Sequence, residues 1–305
     1  MFSKFQIRRF EKGAFYMVLA SFFATFFSLF VKIGVENIYM PWMLFLRFSV
    51  PFIFVVIFFS FKRVLWKEIT FKGTGLHLVR SIAVVISQMS LLYYFTKGSL
   101  TNGVLLWNTY PMFMPIISYI LFRHKTSALV FLSLFVSFCG VLLILKPTKE
   151  VFDPFTIFGF ISGFSVAIAQ VLNGMNRQTD TLMNNTFLFF FYTSVLTGSF
   201  LLSVLAFGGF EQGFLVVTSN QILPLSLIIG FVGVGATMNQ LLRGLAFTFA
   251  KPVSLAPFIY LSVVFSASID FFLHPGTIHG FSFTMGVALI MVGSLIPMFS
   301  TKQLL

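Results

Sequence analysis

Two arginines stand in stretches of sequence that otherwise contain almost no charge. Arg47 is the only charged residue in the segment 41–60, and Arg80 stands near the start of the next apolar segment. A guanidinium can bind a carboxylate or a phosphate through two parallel hydrogen bonds. Ser87 follows Arg80 by seven positions, which places both on one side of a helix, and Gln88 is adjacent. These residues predict contact with a polar or anionic substrate. The alternatives are that Arg80 extends to the lipid headgroups and that Arg47 ties helices together by donating to backbone carbonyls.

A second group of candidate residues combines aromatic rings with a proline. Trp107, Asn108 and Tyr110 stand immediately before Pro111. A proline inside a helix frees a backbone carbonyl and can bend the helix, so that polar atoms become available for binding. The two aromatic rings are suited to stacking on an adenine ring or on a sulfonium cation. We therefore predict substrate contact here; the alternative is a bend that only shapes helix packing.

A third group lies in the segment 252–273, where polar and aromatic residues recur at four-residue intervals. Its members are Ser254, Phe258, Ser262, Ser266 and Asp270, with Pro257 and Tyr260 alongside. Phe258 and Tyr260 are predicted substrate-binding residues, although small hydroxyls at this spacing also permit close helix packing. Asp270 is the candidate for proton coupling or for the counter-ion of a cationic substrate. Its alternative is a hydrated carboxylate near a helix end.

The composition determines where these residues must lie. Hydrophobic residues make up 58% of the 305 residues and charged residues only 9%, whereas a soluble domain carries about a quarter charged residues. Lipid must therefore be the solvent for most of the chain, which we interpret as an integral membrane protein. A net charge of +12 would suggest nucleic acid in a soluble chain. Here the basic residues cluster between apolar segments, so the expected partner is the bilayer and no nucleic acid.

The chain carries no motif that would hold a cofactor. It has no Walker loop and no nucleophile arrangement, and the spacing of His274 and His279 does not suggest a metal site. Cys139 is the single cysteine, so no intrachain disulfide can form. We expect no enzyme activity, no cofactor and no metal.

Runs of about 18–22 apolar residues predict ten membrane-spanning helices. The predicted spans are 13–33, 41–60, 76–96, 100–122, 127–145, 155–174, 186–207, 221–246, 252–273 and 279–299. The connections between them are too short for a separate folded domain. We interpret the first span as retained and not as a removed signal peptide, because it lacks a small-residue cleavage pattern.

The basic residues predict the orientation of these spans. Most of the 20 Lys and Arg residues, Arg177, Arg243 and Lys251 among them, fall in segments that lie on one side of the membrane together with both termini. The positive-inside rule places that side in the cytoplasm. The amides Gln170, Asn173, Asn239 and Gln240 stand near cytoplasmic helix ends, where they line a cavity or bridge helices.

Ten spans divide into two halves of five that start from opposite sides of the membrane. The halves are residues 1–150 and 151–305, and similar halves would form an inverted repeat. The glycines Gly140 and Gly293 fall at matching places in the fifth and tenth spans. The predicted fold is thus an all-α membrane protein with two inverted five-helix repeats around a central cavity.

Several short motifs follow one another along the chain. They are LRF (46–48), LVR (78–80), the proline of NTYPMF (108–113), GVLLILKP (140–147) and SLAPFIYL (254–261). Their order and spacing resemble the drug/metabolite transporter superfamily, in particular its EamA-type ten-span members, over essentially the whole chain. HLVR, ILKP with the following Asp153-Pro154, and APFIYL are most similar to the S-adenosylmethionine uptake carriers of intracellular bacteria.

The resemblance implies a carrier whose cavity opens alternately to each side of the membrane. Our hypothesis is a secondary active transporter of the inner membrane for a small polar metabolite, with S-adenosylmethionine or a related amino-acid-type compound as the candidate substrate. The resemblance also implies that an arginine at position 47 is a family trait, so we expect Arg47 to organise the helices first and to contact substrate second. The alternatives are an exporter of amino acids or drugs with the same fold, and a membrane scaffold or receptor without transport.

Overall fold

The computed structural model describes residues 2–35, 38–61, 63–71, 74–95, 97, 100–123, 125–146, 153–207, 222–273 and 281–299. Within these ranges the chain is almost entirely helical and forms no strand. The helices are α1 (Phe2–Val35), α2 (Met40–Phe61), α3 (Thr74–Phe95), α4 (Leu100–Trp107), α5 (Tyr110–Phe122), α6 (Ala128–Leu145), α7 (Thr156–Thr179), α8 (Leu182–Ala206), α9 (Ile222–Phe249), α10 (Pro252–Leu255), α11 (Leu261–Leu273) and α12 (Phe281–Leu295). Short 3-10 segments occupy Arg63–Glu68, Ala256–Tyr260 and Ile296–Phe299.

The helices confirm an all-α integral membrane protein. Eight helical segments of the described residues are long and apolar enough to cross a bilayer, and α12 is a shorter apolar helix. Large apolar side chains such as Ile120 and Leu202 face outward, where lipid replaces water as the solvent. That the whole chain has ten spans remains a prediction.

Several helices extend beyond the predicted spans. The first begins at Phe2 instead of residue 13, and α7 ends at Thr179 instead of residue 174. A run of apolar residues marks only the part of a helix that lies in the hydrocarbon, whereas a polar helix end can continue into the headgroup region. The connection between α7 and α8 is therefore short. In it, the Thr181 hydroxyl caps α8 by accepting a hydrogen bond from the Asn184 backbone N–H at 3.1 Å.

The fourth and ninth predicted spans are interrupted in the structure. The fourth breaks at Asn108 and Thr109, between α4 and α5, where Pro111 occupies the first turn of α5. A proline is tolerated in the first turn because the N–H it lacks would have no helical partner there. In the ninth, the 3-10 segment with Pro257 separates α10 from α11. At both breaks, some backbone N–H and C=O groups lie outside a regular α-helix.

The helices pack in pairs that join the two halves of the chain. Helix α1 packs against α9, α3 against α7, α2 against α8, and α6 against α12. Helices α6 and α12 approach closely, because a Cβ on Gly140 would lie 2.6 Å from the Gly286 carbonyl oxygen. Ser133 donates to the Gly293 carbonyl in the same contact at 2.6 Å. Small residues of this kind allow membrane helices to approach closely.

Two clusters of buried apolar side chains hold this arrangement together. The larger, which includes Met17, Met114 and Leu134, lies among α1, α5, α6, α7, α9 and the interrupted segment around residues 252–260. The second lies among α2, α3 and α8 and contains Phe59 and Phe190. Between the two clusters, helices from both halves of the chain border a central space.

Candidate functional site

A cavity of about 570 Å³ lies at the centre of the molecule. Helices α1 to α9, α11 and α12 all contribute to its lining. The cavity extends to the end of the molecule at which α6 ends and α12 begins, because Lys146 and Ser282 both line it. We call this end the mouth. Its size falls in the range of about 300–1,000 Å³ that is typical of small-molecule sites.

Five of the residues predicted from sequence to bind substrate line this cavity together. They are Arg47, Gln88, Trp107, Asn108 and Tyr110. They come from α2, α3 and the break between α4 and α5, so residues distant in sequence are adjacent here. The amides Gln170, Asn239 and Gln240 also belong to the lining, as do the hydroxyls of Ser262 and Ser266 on α11.

Arg47 is half-buried in the cavity wall and has a partner within the protein. Its Nη1 donates to Gln88 Oε1 at 2.7 Å, and its guanidinium carbon lies 5.3 Å from the centre of the Phe27 ring. These contacts join α1, α2 and α3. Because Arg47 also lines the cavity, its position is compatible with both the organising role and substrate contact.

The helix break presents aromatic and amide groups to the cavity. The Trp107 and Tyr110 rings pack at 5.0 Å between centroids. Asn108 donates from Nδ2 to the Val104 carbonyl at 2.8 Å, which fixes the side chain. Its Oδ1, the Trp107 Nε1 and the Tyr110 hydroxyl are buried and have no hydrogen-bond partner. Unpaired buried polar atoms are costly and uncommon, so they indicate a place that a ligand or water completes.

Arg243 also lines the cavity, although the sequence pattern assigns it to the orientation-setting basic residues. It lies on α9, is 8% exposed, and its Nε has no hydrogen-bond partner. It lies within electrostatic reach of both Arg80 and Tyr110. A signal for it exists in the sequence, since Arg243 follows Asn239 by four positions and Gln240 by three. Those intervals put the three polar residues on one face of an apolar helix.

The charged side chains among the described lining residues are all basic. Among the described residues, the lining contains three basic side chains, Arg47, Lys146 and Arg243, and no acidic one. Opposite charges usually accompany buried cations in membrane proteins, because an uncompensated charge in a low dielectric is unfavourable. The cavity is therefore electropositive.

Polar side chains of a different kind occupy the end opposite the mouth, where α3 and α8 begin and α7 and α9 end. We call this group the closed-end network. It consists of His77, Arg80, Asn173, Asn176, Arg177, Asp180 and Asn185.

Each member of the closed-end network contacts another element of the structure. His77 Nε2 lies 2.5 Å from Asp180 Oδ2, and its Nδ1 lies 3.1 Å from Asn176 Nδ2. Arg80 donates to Asn185 Oδ1 at 2.9 Å, and its guanidinium carbon lies 4.2 Å from the centre of the Phe189 ring. These bonds join α3, α7 and α8 across the closed end.

Two further bonds extend the network. Asn185 Nδ2 donates to Asn173 Oδ1 at 3.0 Å. Arg177 donates to the Gly244 carbonyl at 3.3 Å and to the Thr248 hydroxyl at 3.0 Å, which ties the end of α7 to α9. The network therefore connects α3, α7, α8 and α9 beneath the cavity.

The remaining predicted site residues lie elsewhere. Arg80, Phe258 and Tyr260 are buried and do not line the cavity. The Tyr260 hydroxyl has no partner, and it lies within electrostatic reach of Tyr110. Asp270 belongs to α11, and its side chain lies outside the described residues, as do His274 and His279.

Comparisons with known proteins find similarity to membrane transporters. Residues 11–146 match the EamA-like transporter family. The S-adenosylmethionine uptake transporter of Rickettsia prowazekii is 22% identical over 209 residues, and that of Rickettsia felis is 24% identical over 214 residues; each alignment covers 67% of both chains. A protein of known crystal structure superposes with a TM-score of 0.72 at 12% identity, over 96% of this chain and 99% of the other. That likeness concerns the fold.

Proposed function

We propose that the protein is a secondary active transporter of a small polar metabolite, because residues 11–146 match the EamA-like transporter family. The chain is a multi-pass membrane protein, and its relatives are named as S-adenosylmethionine uptake transporters. The candidate substrate is S-adenosylmethionine or a related amino-acid-type compound. Transport would proceed by alternating access of one central site.

The observation that carries this proposal is the central cavity with its unpaired polar atoms. A scaffold protein has no need to group several unpaired polar atoms around one central cavity, since each costs about 1–3 kcal/mol while it lacks a partner. Here the Trp107 Nε1, the Tyr110 hydroxyl, Asn108 Oδ1 and Arg243 Nε remain unpaired along the lining. A polar ligand would complete them. The Trp107 and Tyr110 rings would contact its apolar part.

The direction in which the cavity opens follows from the orientation that we propose. The bias of basic residues places both termini in the cytoplasm. In that orientation the mouth at Lys146 faces outward, and the closed-end network lies on the cytoplasmic side. The conformation is then the outward-facing state of a carrier in the inner membrane, ready to admit substrate from outside.

We further propose that residues 1–150 and 151–305 form inverted repeats. Numbering the predicted spans from one to ten, the observed pairs join spans one and eight, three and six, two and seven, and five and ten. Exchanging the halves moves each span by five and reproduces this set of pairs. The contact of Gly140 with Gly286 becomes that of Gly293 with Ser133, and both contacts are present. This pairing supports an approximate two-fold relation through the cavity.

Uptake into proteoliposomes tests the proposed function. Purified protein would be reconstituted in lipid vesicles, and uptake of labelled S-adenosylmethionine and of a panel of labelled amino acids would be measured against protein-free vesicles. We expect saturable uptake of at least one of these compounds. Saturable binding without uptake would indicate a receptor, and neither binding nor uptake across the panel would overturn the proposed substrate class.

A matched pair of variants on α9 tests whether the cavity is the route. Ala236 lines the cavity, whereas Val234, two positions earlier, is 47% exposed on the outer surface. Ala236→Trp would fill the cavity, and we expect it to reduce uptake by at least about tenfold, which corresponds to about 1.4 kcal/mol. Val234→Trp should retain uptake. Equal uptake by the two variants would show that the substrate passes elsewhere.

A further inference from the structure

We infer that the transported molecule carries a carboxylate, and that this carboxylate binds at the inner end of the cavity, at Arg243, Gln240 and Tyr110. The inference rests on the proposed transport function and makes its substrate class specific. It assigns the recognition of the substrate to a residue that the sequence pattern treats only as an orientation signal.

Arg243 lacks a negatively charged partner among the described residues. Its side chain is more than nine-tenths buried, its Nε has no hydrogen-bond partner, and no acidic side chain among the described residues forms an ion pair with it. A guanidinium presents donors in a planar fork that matches the two oxygens of a carboxylate. A buried guanidinium without a countercharge is therefore a site for an anion from outside the protein.

A second positive charge lies within electrostatic reach of Arg243. Arg80 lies close enough to act electrostatically on Arg243, and it is only 2% exposed. Its hydrogen-bond partner is the neutral amide of Asn185, which supplies no negative charge. Two cations thus lie near each other in a low-dielectric region. A bound carboxylate would lower their mutual repulsion and accept hydrogen bonds from Arg243.

The unpaired atoms of the cavity lining are mostly hydrogen-bond donors. Four of them are donors: Arg243 Nε, Gln240 Nε2, Trp107 Nε1 and the Tyr110 hydroxyl. An ionised carboxylate is an acceptor only, with two oxygens that take several hydrogen bonds. The unpaired acceptors, Asn108 Oδ1 and Gln170 Oε1, suit the ammonium group of an α-amino acid. The set as a whole complements a zwitterionic headgroup.

The same features disfavour cations that lack a carboxylate. No acidic side chain lies among the described lining residues, whereas three basic ones do. A polyamine or a quaternary ammonium drug would meet only repulsion from them. S-adenosylmethionine is compatible, because its sulfonium cation is accompanied by an amino-acid headgroup.

Thermal unfolding of the purified full-length protein in detergent tests the inference. The probes are S-adenosylmethionine, S-adenosylhomocysteine, the twenty amino acids and simple dicarboxylates, each at equal ionic strength. S-adenosylmethionine and methionine are compared with decarboxylated S-adenosylmethionine and methioninamide, which retain the rest of each molecule. We expect at least one carboxylate to raise Tm in a saturable way. Its carboxylate-free analogue should bind at least about tenfold more weakly.

Substitutions then test which residues bind the carboxylate. Arg243→Gln should abolish the Tm shift, and Arg243→Lys should retain part of it because a point charge remains. Arg123→Gln is the matched control, since Arg123 is exposed and does not line the cavity. If Arg243→Gln does not fold, Tyr110→Phe provides the same test, with a reduced shift expected. A normal shift in whichever of these variants folds would overturn the inference.

The inference and the proposed function fail in different ways. Carboxylates that bind but are not taken up by proteoliposomes would refute transport and leave the binding site intact. Equal binding or uptake of carboxylates and their carboxylate-free analogues would refute the carboxylate site and leave transport intact. No Tm shift with any carboxylate would also refute the site.

Discussion

Arg80 and Arg243 lie within electrostatic reach of each other, but only Arg243 lines the cavity, and their surroundings differ. Both are more than nine-tenths buried. Arg80 donates to Asn185, lies over the Phe189 ring, and belongs to the closed-end network. Arg243 has an unpaired Nε and lines the cavity. Side chains of the same type thus occupy a satisfied and an unsatisfied environment a short distance apart.

The difference separates two uses of polar residues inside a membrane protein. In the closed-end network, polar groups bond to one another across helices and hold the end shut. Along the cavity, several donors and acceptors remain unpaired. In the function that we propose, a bound ligand would complete them and recover the cost of leaving them unpaired. The closed-end network also keeps one unpaired atom, Asn173 Nδ2, so the two regions differ in the extent of pairing.

The largest effect that this comparison predicts concerns stability. Arg80→Ala removes the donor to Asn185 and the contact with Phe189. Hydrogen bonds to charged groups and cation–ring contacts together suggest a loss of about 2–3 kcal/mol in the free energy of unfolding. Thermal unfolding in detergent, with size-exclusion profiles of the folded fraction, would measure it.

Arg243→Ala is the control for that measurement. Because Arg243 Nε has no partner and Arg243 forms no ion pair with a described acidic residue, its removal should lower the free energy of unfolding less than Arg80→Ala does, while it weakens substrate binding. A larger loss of stability for Arg243→Ala than for Arg80→Ala would reverse the roles that we assign to the two arginines.

The second prediction concerns how firmly the closed end stays shut. Asp180→Asn weakens the contact with His77, which joins α3 to the α7–α8 connection. A hydrogen bond to a charged group is worth about 1.5 kcal/mol, so opening should become about tenfold more frequent. Ser81, fully buried beside Arg80, provides the reporter. The labelling rate of Ser81→Cys by a maleimide, in a Cys139→Ala background, should rise accordingly.

Asp153→Asn provides the matched change of charge at the opposite end of α7. Since Asp153 lies before α7 and outside the closed-end network, this substitution should leave the labelling rate unchanged. Equal acceleration by both substitutions would mean that the rate reports general loosening of the protein, and that the His77–Asp180 contact does not control opening.

The sequence predicts the fold better than it predicts the site. Long apolar runs are sufficient to predict an all-α membrane protein, because the bilayer allows few other structures. The proline at 111 predicts a disturbance in the fourth span, and the structure breaks the helix there. The break around Pro257 was not predicted as such. Whether a proline bends, breaks or merely begins a helix depends on neighbouring helices that a local pattern does not contain.

The site residues show why the hydrogen-bond partners of buried polar side chains are difficult to predict from the sequence. Arg47, Trp107, Asn108 and Tyr110 line the cavity as expected for substrate contact. Arg80 carries the same sequence signal as Arg47 but faces Asn185, 105 positions away in the chain. A partner at that distance becomes visible only once α3 and α8 are placed side by side. Substrate contact by any of these residues stays a prediction.

The third prediction uses two unpaired tyrosines. The Tyr110 and Tyr260 hydroxyls are both buried without a partner, but only Tyr110 lines the cavity. Tyr110→Phe should lower the affinity for substrate by up to about tenfold, because one hydrogen bond to a charged ligand is lost. Tyr260→Phe should leave affinity unchanged. Uptake kinetics in proteoliposomes would compare them, and equal losses would place substrate against both rings.

The smallest predicted effect lies between these two regions, where Ser87 on α3 and Ser162 on α7 form a hydrogen bond of 3.1 Å. Interhelical hydrogen bonds in membranes average about 0.6 kcal/mol, so Ser87→Ala and Ser162→Ala should show a coupling of about that size in a double-mutant cycle. Ser81→Ala, which removes a hydroxyl without a partner, should cost nothing. A coupling above about 2 kcal/mol would mean that single neutral contacts hold the helices together as firmly as Arg80 does. In that case pairing would no longer separate the closed end from the rest of the bundle, and the charge of Arg80 would not explain its stabilising role.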